Sequence, residues 1–503
     1  MTTLYFILYD ITDFLHLSMF SWNTEDENGA FSGSMFQSVE GQFMIYYTCV
    51  DKKDVQRQCV AYSIVPKEGH GDVQNLYLEW EKSSDNPLLE PSGLPRQFRD
   101  PFVWTERMED SENNCSEDRN GNFNTKRKDR MIVASQKALR GLVVMYEKDS
   151  TASATSWKYV EELWSTDESY TPNPAAKGVH MVECPDFFPI MPNGDVYSQN
   201  TGSLEQIYLL KYSLMETRLD YYELGTYQNK RFFPNGAYGY IDNGANFAYY
   251  ASKTFWDSRE RRRVMWGWSS ETDEDFHDTR DWQGVMALPR VVEYDSSIGV
   301  LRMYPIAEVE HLHNTLDIES SLELNVSTDD EILIYDLGLN SRQLDLVITT
   351  NLSNIIKDSE FMEVGVLFGA CDLNELHNNN SIYTLVGAYF DFKNGSFYTH
   401  FNTKNSGGTT PQDDVMRPLP TSNIPIEALY SLYEEFEIRI LIDHSIIEVF
   451  FGKGLGVSTL RVYSPLPCSS IGLYSKGQSS SNEAIGVGVE AFEMEISGDG
   501  VEF

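Results

Sequence analysis

Two short segments of this chain each set an ionisable carboxylate beside a proline, in contrasting surroundings. Met181-Val182-Glu183-Cys184-Pro185-Asp186-Phe187-Phe188 places Glu183 in an apolar, proline-marked stretch. Phe98-Arg99-Asp100-Pro101 places Asp100 next to a guanidinium. Loss of water around a carboxyl raises its pKa towards neutrality, which is what a general acid at Glu183 requires. An aspartate beside an arginine keeps its charge and can accept hydrogen bonds from the neighbouring hydroxyls of a sugar. Two carboxylates in unlike settings are the minimum apparatus for cleaving a glycosidic bond.

Short strands must position these groups. Long amphipathic helical patterns are nearly absent, and runs rich in Tyr, Val, Ile and Phe recur between Gly, Asp, Asn and Ser clusters. Such runs fall at 43–49, 131–135, 141–146, 207–212, 247–253 and 263–268, a spacing that predicts an all-β protein. Their loosely similar four-strand groups suit the diverged blades of a propeller. The polar segment 109–130 reads as a surface insertion. A brief helix-like linker is expected at 304–316. Longer alternating strands follow at 344–350, 363–368, 435–442 and 446–451, so a second, sandwich-like domain begins near residue 317. The Gly/Pro/Thr/Asp-rich stretch 403–424 is expected to be loop.

At 503 residues two domains are the prior. The net charge of −37 argues against nucleic acid or anionic membrane as a partner and is compatible with a neutral sugar. No run of about 18 apolar residues is present, so no membrane-spanning helix is expected. The first 20 residues hold a short apolar run, 4–9, without Lys or Arg, which makes a poor signal peptide. Five Asn-x-Ser/Thr sequons, at Asn114, Asn325, Asn351, Asn379 and Asn394, hint at the secretory route. The cysteines at 49, 59, 115, 184, 371 and 468 lack metal spacing. Cys49 and Cys59 are close enough to pair, although free buried thiols are the expectation at this size.

The carboxylate segments, with several others in order, resemble glycoside hydrolase family 32, the β-fructofuranosidases, and especially its plant-type acid invertases. The further segments are Tyr250-Ala-Ser-Lys-Thr-Phe255, Arg262-Arg-Val-Met-Trp-Gly-Trp268, Trp282-Gln-Gly-Val-Met-Ala-Leu-Pro-Arg290, Leu441-Ile-Asp-His-Ser-Ile-Ile-Glu-Val-Phe450 and Arg461-Val-Tyr463. The resemblance runs from about Asp10 to the C-terminus. It implies a five-bladed β-propeller over 1–303, a linker over 304–316 and a β-sandwich over 317–503. It also implies hydrolysis of terminal β-D-fructofuranosyl bonds, as in sucrose or short fructans, with retention and without metal or organic cofactor. Glu183 matches the general acid/base and Asp100 the aspartate that binds the furanose and steadies the transition state. Cys184 is then read as tuning the acid's environment. Phe31, Ser32, Arg99, Asp242 and Trp268 match substrate-contacting positions. The sequons together with the family suggest an extracellular or vacuolar protein.

The chain departs from the family at the nucleophile. The Trp-Met-Asn-Asp-Pro-Asn-Gly motif that carries it has no match here. Glu25-Asp26-Glu27-Asn28-Gly29 is the nearest string, but Phe31-Ser32-Gly33-Ser34 follows at once and matches a later family segment, Trp-Ser-Gly-Ser. That register puts Asp26 in a loop. It has the chain start inside the propeller with its first blade incomplete, so the nucleophile would come from upstream sequence. A paralogue that binds fructosides without turnover, or a fructosyltransferase, are the alternatives. Two further clusters are read as structural: His311-Leu312-His313, which lacks a third metal ligand, and Asp443-His444 with Glu448. On one continuous strand, His444 and Glu448 would share a face opposite Asp443.

Overall fold

The computed structural model describes residues 25–64, 79–91, 97–107, 127–153, 155–190, 206–244, 248–271, 284–325, 332–351, 359–373, 381–407, 410, 413–419, 435–465, 468–479 and 484–494. These residues form an all-β fold, as the spacing of apolar runs predicts. Four antiparallel meanders come first, each with strands hydrogen-bonded in chain order. The first contains Gly29–Gln37, Phe43–Val50, Gln56–Ile64 and Glu79–Lys82. The second contains Phe98–Arg107, Arg127–Lys137, Arg140–Asp149 and Lys158–Ser165. The third contains Val182–Ile190, Ile207–Leu214, Leu219–Gln228 and Arg231–Tyr240. The fourth contains Tyr250–Asp257, Arg262–Ser269, Arg290–Asp295 and Val300–Pro305, with Val285–Met286 added against its second strand. These sheets are propeller blades, and two six-stranded sheets after them form a β-sandwich.

Cα proximity divides the chain into two compact units. One carries the first three sheets and residues 253–255; the other carries the rest of the fourth sheet and the sandwich. In the first unit, Tyr46, Val60, Phe98, Met131, Val133 and Leu142 share a buried cluster between the first two sheets. In the second, alternate residues Leu344, Leu346 and Ile348 of one sandwich sheet pack with Val364, Val366 and Phe368 of the other. This is the period-two pattern that a half-buried antiparallel strand requires.

Several local expectations are corrected. The stretch 403–424 is not all loop, because Asp414–Pro418 pairs antiparallel with Ser396–Asn402. Backbone pairing onto an existing sheet edge outweighs the segment's poor strand composition. The expected insertion 109–130 yields its last residues to the strand Arg127–Lys137, and 108–126 lie outside the described residues. The free-thiol expectation fails for four cysteines: Cys49 bonds Cys59, and Cys371 bonds Cys468. Cys184 is free and buried. Cys115 lies outside the described residues. A 3-10 helix, Ala307–Leu312, follows Pro305 and leads into the strand His313–Asn325.

Candidate active site

Both carboxylate segments fold as β-bulges at the start of a strand. Arg99 pairs with Ala134 and Phe102 with Ile132, so the strand Phe98–Arg107 carries one extra residue at Asp100-Pro101. Glu183 pairs with Ser213 and Asp186 with Lys211, which inserts one extra residue at Cys184-Pro185. Proline cannot serve a sheet ladder, and a bulge is where a strand tolerates it. The bulged residues take left-handed backbone, with φ of 63° at Asp100 and 46° at Cys184. For non-glycine residues that costs on the order of 1–3 kcal/mol each and persists only where the surroundings over-determine it. In exchange a bulge re-aims side chains away from the regular in–out alternation. The first blade repeats the device: Phe31 pairs with Thr48 and Gly33 with Tyr47, which makes Ser32 the extra residue.

The two bulges bring Asp100, Glu183, Arg99 and Cys184 together. Arg99 donates to Glu183 Oε1 from Nε at 3.1 Å and from a terminal nitrogen at 2.8 Å. Arg99 Nε also lies 3.9 Å from Asp100 Oδ2. That Asp100 oxygen accepts the Cys184 backbone N–H at 2.8 Å, and the Cys184 thiol sits 3.6 Å away. Glu183 is not sealed in apolar surroundings, as its flanking residues suggest; 17% of its side chain is exposed and Arg99 grips it. Asp100 is the buried one. Burial pushes its carboxyl above the usual carboxylate value and Glu183 adds to this, against the pull of Arg99, the Cys184 N–H and Lys253. Burial, with Asp100 adding to it, also pushes the Cys184 thiol well up, so it stays neutral.

Two lysines stabilise the second bulge. Lys211, paired with Asp220 at 3.2 Å, donates to the Cys184 carbonyl at 3.1 Å. Lys253, paired with Asp186, donates to the Pro185 carbonyl at 3.0 Å. The first bulge is held by side chains of the neighbouring blade, none of which its sequence marks out. Asp100 N donates to Thr48 Oγ1 at 2.7 Å, and Gln58 Nε2 donates to Phe98 O at 2.8 Å. Gln56 Oε1 accepts from Phe98 N at 3.0 Å and from Arg99 at 3.2 Å. No group of three His, Cys, Asp or Glu side chains among the described residues is arranged to hold a metal ion.

The profile of the glycosyl hydrolases family 32 N-terminal domain matches residues 9–305, and that of the family 32 C terminal matches 308–488. The chain belongs to glycosyl hydrolase family 32. An acid beta-fructofuranosidase of Vigna radiata var. radiata is 28% identical over 483 residues, covering 90% of this chain and 67% of the relative. An insoluble-isoenzyme beta-fructofuranosidase of Arabidopsis thaliana is 29% identical, covering 89% of this chain and 74% of the relative. The solved fructan 1-exohydrolase IIa of Cichorium intybus superposes with a TM-score of 0.69 at 23% identity, covering 94% of this chain and 85% of that one. That likeness gives the family's propeller-plus-sandwich fold.

The other residues that the family resemblance points to have varied surroundings. Phe31 is 42% exposed and lies next to the Ser32 bulge. Asp242 and Trp268 belong to the second unit. Asp242 is buried and braced: Oδ1 accepts from Gly244 N and Thr459 N, and Oδ2 from Arg290 and Thr459 Oγ1. Four donors thus engage its two oxygens within the second unit. Trp268 is 37% exposed near the end of its strand, with its indole nitrogen against Gly284.

Asp26 stands in a turn in the first unit, where its Oδ2 accepts from Tyr47 Oη at 3.1 Å and pairs with Lys82 at 2.5 Å. His313 pairs with Asp345 at 2.8 Å and stacks on Phe492. The strand reading of 443–448 is corrected. A turn at His444 and Ser445 separates the strands Glu435–Asp443 and Ile446–Phe451, and His444 has a φ of 52°. Glu448 is buried and ion-paired with Arg290 at 2.7 Å.

Proposed function

We propose that this protein hydrolyses terminal β-D-fructofuranosyl bonds of sucrose and short fructans with retention. The observation that carries the reading is the convergence of Asp100 and Glu183 on one arginine from two separate bulges. In this reading a nucleophilic carboxylate that this sequence does not contain displaces the leaving sugar and takes the fructosyl group. Glu183, the more open carboxylate, protonates the departing glycosidic oxygen and later deprotonates the water that cleaves the fructosyl–enzyme bond. Asp100 accepts hydrogen bonds from the furanose hydroxyls and steadies the oxocarbenium-like transition state, while Arg99 holds both carboxylates in place. Phe31, 42% exposed, stacks on the leaving sugar, and Ser32 adds a sugar contact beside it. The catalytic module is taken as 1–303, the linker as 304–316 and the sandwich as 317–503. The relatives named as beta-fructofuranosidases support the substrate class, as does a fructan 6-exohydrolase of Beta vulgaris at 28% identity. The two disulfides and the sequons at exposed Asn325, Asn351 and Asn394 support an oxidising, extracellular or vacuolar setting.

One observation favours a second reading. Retention needs a nucleophilic carboxylate roughly 5 Å from the acid, and the family's nucleophile motif has no match in this sequence. The second reading is a protein that binds fructosides without turning them over. Incubation with sucrose, with products separated by chromatography, together with calorimetric titration of fructose, tests both. Release of fructose carries the first reading, and binding without release carries the second. A fructosyltransferase would show itself as longer oligosaccharides at high sucrose. Neither binding nor turnover would overturn all three.

A further inference from the structure

We propose that Thr48 is a positioning residue for Asp100, an inference that rests on the reading of Asp100 as the furanose-binding carboxylate. Thr48 lies in the strand Phe43–Val50 of the first blade and is completely buried. A buried strand threonine ordinarily satisfies its hydroxyl within its own sheet. Thr48 does so as a donor, with Gln58 Oε1 at 3.3 Å and the Ser32 carbonyl at 3.4 Å as its acceptors. As an acceptor it reaches the next blade, taking the Asp100 N–H at 2.7 Å. One hydroxyl thus connects the Ser32 bulge to the Asp100 bulge.

The backbone explains why that bond matters. The extra residue in the strand Phe98–Arg107 takes Asp100 out of register with Arg127–Lys137. Its N–H then needs a partner elsewhere, since a buried orphan donor is costly. Asp100 is also in the left-handed region, which an aspartate occupies only when held. Capture of its N–H fixes the direction of its Cα–Cβ bond, and only two further torsions separate that bond from the carboxylate. Gln58, itself completely buried, supports the same point from the other side by donating to Phe98 O at 2.8 Å. A threonine suits the task better than a serine because two substituents on Cβ leave χ1 few choices. The expected result of this grip is the 2.8 Å bond from Cys184 N to Asp100 Oδ2, by which the first bulge meets the second.

The test replaces Thr48 by Val, which keeps the shape and removes the acceptor, and by Ser, which keeps the acceptor. Thr48→Val is expected to lower kcat for sucrose by about 10–100-fold with little change in KM, the size of loss that ångström-scale misplacement of a reacting group produces. Thr48→Ser is expected to restore most of it. Crystal structures supply a readout independent of turnover: the contact between Asp100 Oδ2 and Cys184 N should be lost in Thr48→Val and kept in Thr48→Ser. An intact contact in the Val variant, or equal losses of kcat in Val and Ser, overturns the proposal. Should Thr48→Val not fold, Thr48→Cys, whose thiol is a weak acceptor of similar size, is judged by the same two criteria. A wild-type chain that keeps the contact but does not turn over sucrose would sink the hydrolase reading alone, and the crystallographic comparison would still decide the role of Thr48.

Discussion

Arg99 and Glu183, 84 residues apart in the chain, meet through two hydrogen bonds from one guanidinium to one carboxylate oxygen, at 2.8 and 3.1 Å. Arg99 in turn is steadied by Gln56 and Gln97, and only 7% of its side chain is exposed. Charge-assisted bonds of this kind fix geometry as well as adding energy. Glu183 is therefore oriented before any substrate arrives, while 17% of its side chain stays in contact with solvent. A group that must give up a proton and regain it from water needs that combination.

Glu183→Gln keeps the side-chain shape and an oxygen for Arg99 but removes the transferable proton. Sucrose turnover is expected to fall by about 10²–10⁴-fold, the usual contribution of general acid–base catalysis. The loss should be smaller in the fructosylation step for an aryl β-fructofuranoside, whose leaving group departs without protonation. Pre-steady-state release of the aryl group would check this. Equal losses for both substrates would contradict the assignment.

Cys184 is expected to be chemically inert in the folded protein, since its buried thiol is held neutral beside the Asp100 carboxylate and the thiolate is the reactive form. Iodoacetamide followed by peptide mapping should find residue 184 unmodified under native conditions and alkylated after denaturation in guanidinium. Rapid native labelling would show that the bulge is more open than the structure has it.

The sequence revealed the two carboxylate segments because each carries its own signal, a proline after an acidic residue in a strand-like run. It did not reveal Thr48, Gln56 or Gln58, since polar side chains in a β-strand usually read as one solvated face. The surroundings of Asp242 are hidden from the sequence for a different reason. Its local context matches a sugar-binding position, but its partners Arg290 and Thr459 lie 48 and 217 residues further on, and only the fold brings them to it. The strand Asp414–Pro418 was hidden because its signal is backbone pairing with Ser396–Asn402 and not its own composition. The all-β architecture was legible throughout, since period-two burial in segments such as 435–440 is written directly in residue type.

His400 gives the sandwich an acid-side stability window. Its ring is held between Glu363 at 2.6 Å and Asp414 at 2.8 Å. Burial of the ring disfavours the charge, but the two carboxylates outweigh it and the histidine pKa is raised. A raised folded pKa stabilises fully below the unfolded value of about 6.5 and is lost as pH climbs through the folded one. Asp414 is also partly desolvated, yet Lys404 and His400 hold its pKa down. Its contribution is present above the unfolded value of about 3.9 and is lost as pH falls through the depressed one. Both terms are therefore complete between about pH 4 and 6.5. His400→Gln should lower Tm most in that window and progressively less at pH 8 and above. A Tm difference that does not vary with pH would refute the argument.

Arg290 is the cation on which two buried carboxylates of the second unit depend. It bonds Asp242 at 2.8 Å and Glu448 at 2.7 Å, and its guanidinium lies 4.1 Å from the Tyr249 ring centroid. These contacts tie the fourth blade's strand Arg290–Asp295 to the sandwich strand Ile446–Phe451. Removing one partner of a buried ion pair leaves the remaining charge uncompensated, at a cost of about 3–5 kcal/mol. Arg290→Met should thus shift the urea midpoint sharply downward. Glu448→Gln in the same chain should recover part of the loss, because it removes one of the stranded charges while keeping an oxygen for the Leu288 N–H, now bonded to Glu448 at 2.6 Å. Additive losses in the double variant would mean that the two side chains stabilise the fold independently, and that the brace is two separate contacts instead of one coupled network.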